Sequence, residues 1–219
     1  MRRLALALLT SLLALPLHDA HAQIIRTGRL GARDPKLWIS GGIGLQQGWT
    51  VTDGATQTRW RLSDGQAYFA AVERPITGGV SLGVRASTAR VSVDYTSTDP
   101  LAFTGPRDAD ASVSQGLAIL HITAGRDLHT VIELGAGATI YSGFRERGTG
   151  ADLPPDKADA DFTFVLGYGI GYSFSNTFQV DVVQDLATAL HQKTGLSAGD
   201  DSSVRISGTR LVARFGLGS

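Results

Sequence analysis

The sequence predicts an all-β protein, specifically an eight-stranded antiparallel up-and-down transmembrane β-barrel. Three observations predict it: apolar and small residues alternate, eight segments of this kind can be drawn, and the connections between them are alternately short and long. The alternation is clearest between residues 160 and 174. There Phe162, Phe164, Leu166, Tyr168, Ile170, Tyr172 and Phe174 occupy the even positions, and most odd positions are small, as at Thr163, Gly167, Gly169, Gly171 and Ser173. A period of two is the mark of a strand with one apolar face. Composition agrees, since 219 residues at 42% hydrophobic and 18% charged make one domain or at most two and are too apolar for a disordered chain.

Taken in order, Arg2 and Arg3 precede a leucine-rich stretch, Leu4 to Leu17, and then Ala20-His21-Ala22. That is a secretory signal peptide over 1–22, its apolar core being shorter than the roughly 20 residues of a spanning helix. A periplasmic N-terminal segment, 23–35, and the barrel domain, 36–219, follow. The first strand, 36–51, places Leu37, Ile39, Ile43, Leu45 and Trp49 on one parity. The second, 58–73, contains Ser63-Asp64-Gly65-Gln66, read here as mid-strand with Gly65 at a bulge, because a hairpin there leaves Trp60-Arg61-Leu62 too short to span. In the third, 79–96, the apolar parity changes from Leu82 and Val84 to Val91, Val93 and Tyr95, which predicts a bulge at 86–89.

Strands at 111–124, 128–144, 160–174 and 177–190 follow. The eighth, 203–217, changes parity between Ile206 and Leu211, predicting a bulge at Ser207-Gly208. Connections are short after strands two, four and six and longer after three, five and seven, the asymmetry of periplasmic turns and external loops.

An eight-stranded barrel has an interior just wide enough for side chains, so a lumen holding all the large residues of 160–174 would be overfilled and they must face lipid. Phe164 and Phe174 are about 33 Å apart along the strand, or roughly 25 Å across a tilted barrel wall, the height of an outer-membrane apolar band. Two aromatic girdles are predicted: Trp38, Tyr172, Phe178 and Phe215 at the periplasmic end, Trp49, Trp60, Tyr95 and Phe144 at the external end.

With its signal peptide, glycine-rich alternating strands and a final strand Arg210-Leu211-Val212-Ala213-Arg214-Phe215, the chain resembles the small eight-stranded outer-membrane barrels of the OmpA/OmpX type. The final strand is similar to the family's C-terminal insertion signal, although Gly216-Leu217-Gly218-Ser219 follows the aromatic. The resemblance implies residence in the cell outer membrane, with outer-membrane lipid, lipopolysaccharide and the assembly machinery as partners.

Alternation points Arg85, Glu133, Asp181, Asp185, Arg210 and Arg214 inward as a luminal charge network, with Asp181 and Asp185 beside Arg210 and Arg214 on neighbouring strands. Buried charges need partners, and two readings of this set stand: a brace that plugs the lumen, or a proton or ion path. Gln184 falls on the lipid face, a conflict with its polarity.

Other chemistry is poorly supported. The absence of cysteine excludes disulfides, thiolate metal sites and a cysteine nucleophile while leaving metal sites of His and carboxylate open, and zero net charge argues against nucleic acid. No cofactor and no metal are expected, and the chain is expected to be a monomer. Lipid A deacylases of this fold use His-x-Ser with a Glu; His121-Ile122-Thr123 with Glu133 is a near miss, placed on the periplasmic side, away from lipid A. His129 and His191 read as polar rim residues, and the glycines of 135–137 and 167–171 as small residues clearing a tight lumen.

The expected function is non-enzymatic: envelope integrity or surface interaction through external loops 97–110, 145–159 and 191–202. These carry Asp99, Arg107, Asp108, Asp110, Arg145, Glu146, Arg147, Asp152, Asp156, Lys157, Asp200 and Asp201. A narrow pore or transporter for small hydrophobic molecules is the alternative, and a lipid A-modifying enzyme a second.

Overall fold

A computed structural model describes residues 35–97, 106–155, 157–192, 196 and 202–218. The expected signal peptide, 1–22, and nearly all of 23–35 lie outside these residues, as do Asp99, Asp156, Asp200 and Asp201. The strands are β1 (Leu37–Gln46), β2 (Trp49–Asp53), β3 (Thr58–Leu62), β4 (Gly65–Thr77), β5 (Val80–Ser97), β6 (Arg107–Gly125), β7 (Leu128–Glu146), β8 (Asp159–Ser175), β9 (Phe178–Leu190) and β10 (Ser203–Leu217). Every pairing is antiparallel. The order β5-β4-β1-β10-β9-β8-β7-β6 closes into a ring of eight because β5 also pairs with β6. The remaining two strands, β2 and β3, pair with each other, and β3 continues the β4 side along β5. They form a hairpin that extends the wall at the long-loop end.

The first two predicted strands are therefore each divided. The divisions face one another across the sheet, at residues 47–48 and 63–64, and Gly48 N donates to Asp64 Oδ1 at 2.6 Å across the gap. The inward parity changes at both. In β1 the even residues Trp38 and Ser40 are buried, in β2 the odd residues Trp49 and Val51; in β3 Thr58, Trp60 and Leu62 are buried, in β4 Ala67, Ala71 and Glu73. Gly48 suits this kink, since a Cβ there would lie 2.6 Å from the Leu62 carbonyl oxygen.

The bulges expected at 86–89 and at Ser207-Gly208 are absent. The register of β5 against both neighbours is unbroken there, as is that of β10 against β9. Register shifts occur instead at Pro75/Thr77, Asp110/Ser112 and Ser173/Ser175. Apolar residues change parity because the wanted face changes, not because the strand slips. Leu82 and Val84 are exposed on the outer belt, whereas Val91, Val93 and Tyr95, nearer the long loops, are buried inside. In β10 Leu211 and Phe215 face out and Val204 and Ile206 face in. Beyond the apolar belt the outer surface turns polar, with Arg59, Arg61, Arg90 and Arg205 exposed, so the interior is the only apolar environment left.

The same switch corrects the external girdle. Trp49, Trp60, Tyr95 and Phe144 are buried inside the barrel's upper end, and Trp38 is buried inside the lower end. The lower outer girdle does exist: Tyr172, Phe174, Phe178 and Phe215 form a chain of rings, Phe178 stacking on Phe174 at 5.4 Å and on Phe215 at 4.9 Å. All seven large residues of β8 point outward, Phe164 being 51% exposed. Gln184 is on this outer face as well, and its Oε1 accepts a 2.6 Å hydrogen bond from the Thr209 hydroxyl of β10, which satisfies the amide without any change of register. The strands also run further into the expected loops: Arg107, Asp108 and Asp110 belong to β6, and Arg145 and Glu146 to β7.

Candidate functional site

The lumen holds two stacked layers, a charged belt and above it an apolar plug. Each belt residue is placed by alternation on its own strand. Glu133 of β7 accepts from Arg85 Nη1 of β5 and lies 2.9 Å from Arg210 Nη2 of β10. Arg210 Nε donates to Asp185 Oδ2 of β9 at 2.9 Å, and Arg85 Nη1 is 3.4 Å from the same oxygen. The two guanidinium groups stand about 6 Å from the Phe69 ring centroid, at 6.0 and 5.9 Å, within cation–π range. Thus four of the six residues named from the sequence meet in one cluster of two arginines and two carboxylates.

The other two are not paired as expected. Arg214 Nη2 donates to Glu73 Oε2 at 2.7 Å and Nη1 to Gln179 Oε1 at 2.8 Å, and its guanidinium lies 4.8 Å from the Trp38 ring. Asp181 takes His129 Nε2 at 2.9 Å instead. In the β9–β10 register Asp181 sits opposite Val212, two residues from Arg214, while Gly171 opposite Asp181 on β8 leaves room for His129 to reach it from β7.

That glycine is a matter of clearance. A Cβ on Gly171 would lie 1.9 Å from Asp181 Oδ1 and 2.4 Å from His129 Nε2. Replacing Gly171 by Val should therefore break this pair and lower stability by about 1–3 kcal/mol, read as a shift in urea midpoint in micelles. An unchanged midpoint would mean that the pair contributes nothing to holding β7, β8 and β9 together.

Sequence reasoning missed Glu73, Ser81 and His129 as members of the belt and treated His121 only as part of a near-miss motif. His121 Nδ1 is 3.4 Å from Glu133 Oε2, and Ser81 Oγ donates to Glu73 at 2.6 Å. His129 shares the inward parity of Glu133, so the signal was present; Glu73 was hidden by the division before β4. The hydroxyl of Thr123 donates to the Gly79 carbonyl at 3.3 Å, which ties it to the short turn rather than to His121.

Above the belt, Trp60 fills the centre of the plug. It is 0% exposed, and its ring lies 4.6 Å from Phe144, 5.8 Å from Tyr141 and 5.9 Å from His191, with Nε1 donating to Thr58 Oγ1 at 2.8 Å. Val51, Leu62, Val93, Val113 and Leu153 are buried with it in one cluster. Cavities beside the belt measure about 10 and 20 Å³, room for about one water each and not for a continuous water column. A larger cavity of about 250 Å³ opens at the short-turn end, reaching Ser81, His121 and Arg214 at its floor and Arg126, Asp127 and Asn176 at its rim.

No family model and no curated protein matches the sequence. Solved structures do match. Neisserial surface protein A (NspA) aligns with a TM-score of 0.53 at 8% identity over 85% of this chain and 100% of that one. The outer membrane protein OprG from Pseudomonas aeruginosa aligns at 0.51 and 12% identity over 84% and 95%. This chain has the fold of the small eight-stranded outer-membrane β-barrels. Ail, the attachment invasion locus protein of Yersinia pestis, is also similar, at 16% identity and a TM-score of 0.45 over 84% of this chain and 100% of that one.

Within this barrel, neither His129 nor His191 is a rim residue; both are buried. His191 follows β9 at the long-loop end and faces Asp161 at 2.9 Å, Asp53 at 3.6 Å and Asp159 at 3.6 Å. Burial alone would depress its imidazole, but Asp161 and Asp53 outweigh that and hold it up at about 9. Burial pushes the Asp53 carboxyl up, and His191, Thr56 and the amides of Ala55 and Thr56 more than reverse this, to about 2.

Proposed function

We propose that the chain resides in the outer membrane as a monomeric, non-enzymatic barrel with a closed lumen, and that it serves envelope integrity or surface interaction through its long-loop end. The signal peptide expected from the sequence and the outward apolar belt, with its aromatic chain at the short-turn end, support the location, the partners being outer-membrane lipid, lipopolysaccharide and the assembly machinery. The observation that carries the closed lumen is the double seal, a charged belt whose groups pair with one another and above it a plug centred on Trp60. An ion entering the 250 Å³ vestibule would have to separate Arg210 from Glu133 and Asp185 and then cross an apolar layer.

With the wall committed to lipid and the lumen to packing, the polar upper extension is what remains to meet a partner. Its surface is ordered by ion pairs, Arg147 with Asp110 at 2.6 Å and Arg145 with Asp152 at 3.1 Å. The barrel reconstituted in a planar bilayer should show no steady conductance at moderate voltage. A reproducible open step would overturn the closed lumen and favour the pore reading.

A further inference from the structure

We propose that Asp53, Asp159 and His191 bind one divalent cation of the zinc class at the long-loop end of the barrel. The three come from separate parts of the chain: the end of β2, the start of β8 and the residue after β9. Each brings one donor atom within 4.8 Å of the others. His191 is pinned from both sides, its amide N donating to the Ser202 carbonyl at 2.8 Å and its ring Nδ1 lying 2.9 and 3.1 Å from the two oxygens of Asp161.

A proton on Nδ1, held by Asp161, leaves the lone pair on Nε2. This is the carboxylate–histidine arrangement that orients metal-binding imidazoles. The side chain of His191 is 1% exposed, yet Nε2 makes no hydrogen bond. It faces Asp53 Oδ1 at 3.6 Å, too far for a hydrogen bond and close to the separation of two ligands on one tetrahedral ion with bonds of about 2.0–2.1 Å.

Charge points the same way. Three carboxylates, Asp53, Asp159 and Asp161, surround one imidazole, and among the described residues no lysine or arginine forms an ion pair with any of them. A protonated His191 leaves two negative charges uncompensated; a neutral His191 with a dication leaves one. Asp53 is held in place by the amides of Ala55 and Thr56 and by the Thr56 hydroxyl, so that little ordering is left to ion binding. Asp159 stands on the Nδ1 edge of the ring, its Oδ2 3.6 Å from Nδ1, and with 21% of its side chain exposed it gives the ion a route from solvent. One imidazole with carboxylates is a donor set for zinc, with water completing the shell, more than for calcium or magnesium, which take oxygen alone.

The test is titration of the refolded full-length protein in detergent with Zn²⁺ alone, followed by calorimetry and by the fluorescence of Trp60, whose ring lies 5.9 Å from that of His191. One saturable equivalent is expected, with proton release that grows as pH falls. His191→Ala should weaken that site at least about 100-fold, and Asp161→Asn roughly 10- to 100-fold with stoichiometry kept, as for partners that orient a ligand. Should His191→Ala fail to refold, Asp53→Asn takes its place, and Co²⁺ bound to the unaltered protein should show the intense visible bands of a low-coordinate site. Absence of a saturable site, binding unchanged in the substituted proteins, or a Co²⁺ spectrum like that of the free ion would overturn the proposal.

Discussion

Replacing Glu133 by Leu is expected to destabilise the barrel by about 3–5 kcal/mol, the cost of removing one partner from a buried ion pair. Glu133 is the shared acceptor of the belt: Arg85 and Arg210 both turn to it, and both are buried. Without it the cluster holds two guanidinium groups against the single carboxylate of Asp185. The second substitution, Arg85→Leu, removes the excess cation and leaves the 2.9 Å pair of Arg210 with Asp185 intact, so the double variant should recover much of the loss. Urea unfolding in micelles, scored by heat-modifiable gel mobility, measures both. An unchanged midpoint in Glu133→Leu would mean that water screens the belt and that the charges do not brace the lumen.

The belt is partly legible in the sequence, and the reasons for the misses are physical. Parity alone places a residue inside or outside, and it placed Arg85, Glu133, Asp185 and Arg210 together because each lies on a regular stretch of strand with an apolar outward neighbour on at least one side. Parity does not state how far along the barrel a long side chain reaches. Arg214 has the length to pass Asp181 and take Glu73 across β1, from β10 to β4, while His129 reaches Asp181 over the bare backbone of Gly171. Such choices depend on which neighbours are glycine and on the tilt of the strands.

The larger misreading concerned solvent, not structure. A single rule, apolar outward, holds for Leu82, Leu134 and Phe164 within the belt and reverses for Val93, Tyr95 and Phe144 beyond it. A change of apolar parity along β5 therefore has two explanations, a bulge that turns the strand over or a change in what surrounds it, and periodicity cannot choose between them. Both occur here: the kink at residues 47–48 and 63–64 turns the chain over, whereas β5 and β10 run straight through. Tryptophans near strand ends look alike in either case, which is why Trp49 and Trp60 read as girdle residues and are core.

Because Trp60 is core, Trp60→Ala should cost about 3–5 kcal/mol, the range for removing a large aromatic from a packed interior, where a surface girdle residue would cost far less. The ring is enclosed by Phe144 and Tyr141 of β7 and by His191, so that it ties the β2–β3 hairpin to the far wall of the barrel. Two outcomes of the same unfolding experiment separate the possibilities. A loss of this size with a single cooperative transition means that the upper extension and the barrel fold as one unit. A loss below about 1 kcal/mol, or early protease cleavage confined to the hairpin, would mean that the extension opens independently of the wall beneath it. Conductance of the variant then tests the layering: with the belt of Glu133, Arg85, Arg210 and Asp185 still paired below, Trp60→Ala should remain closed to ions, and opening it should require removing both layers.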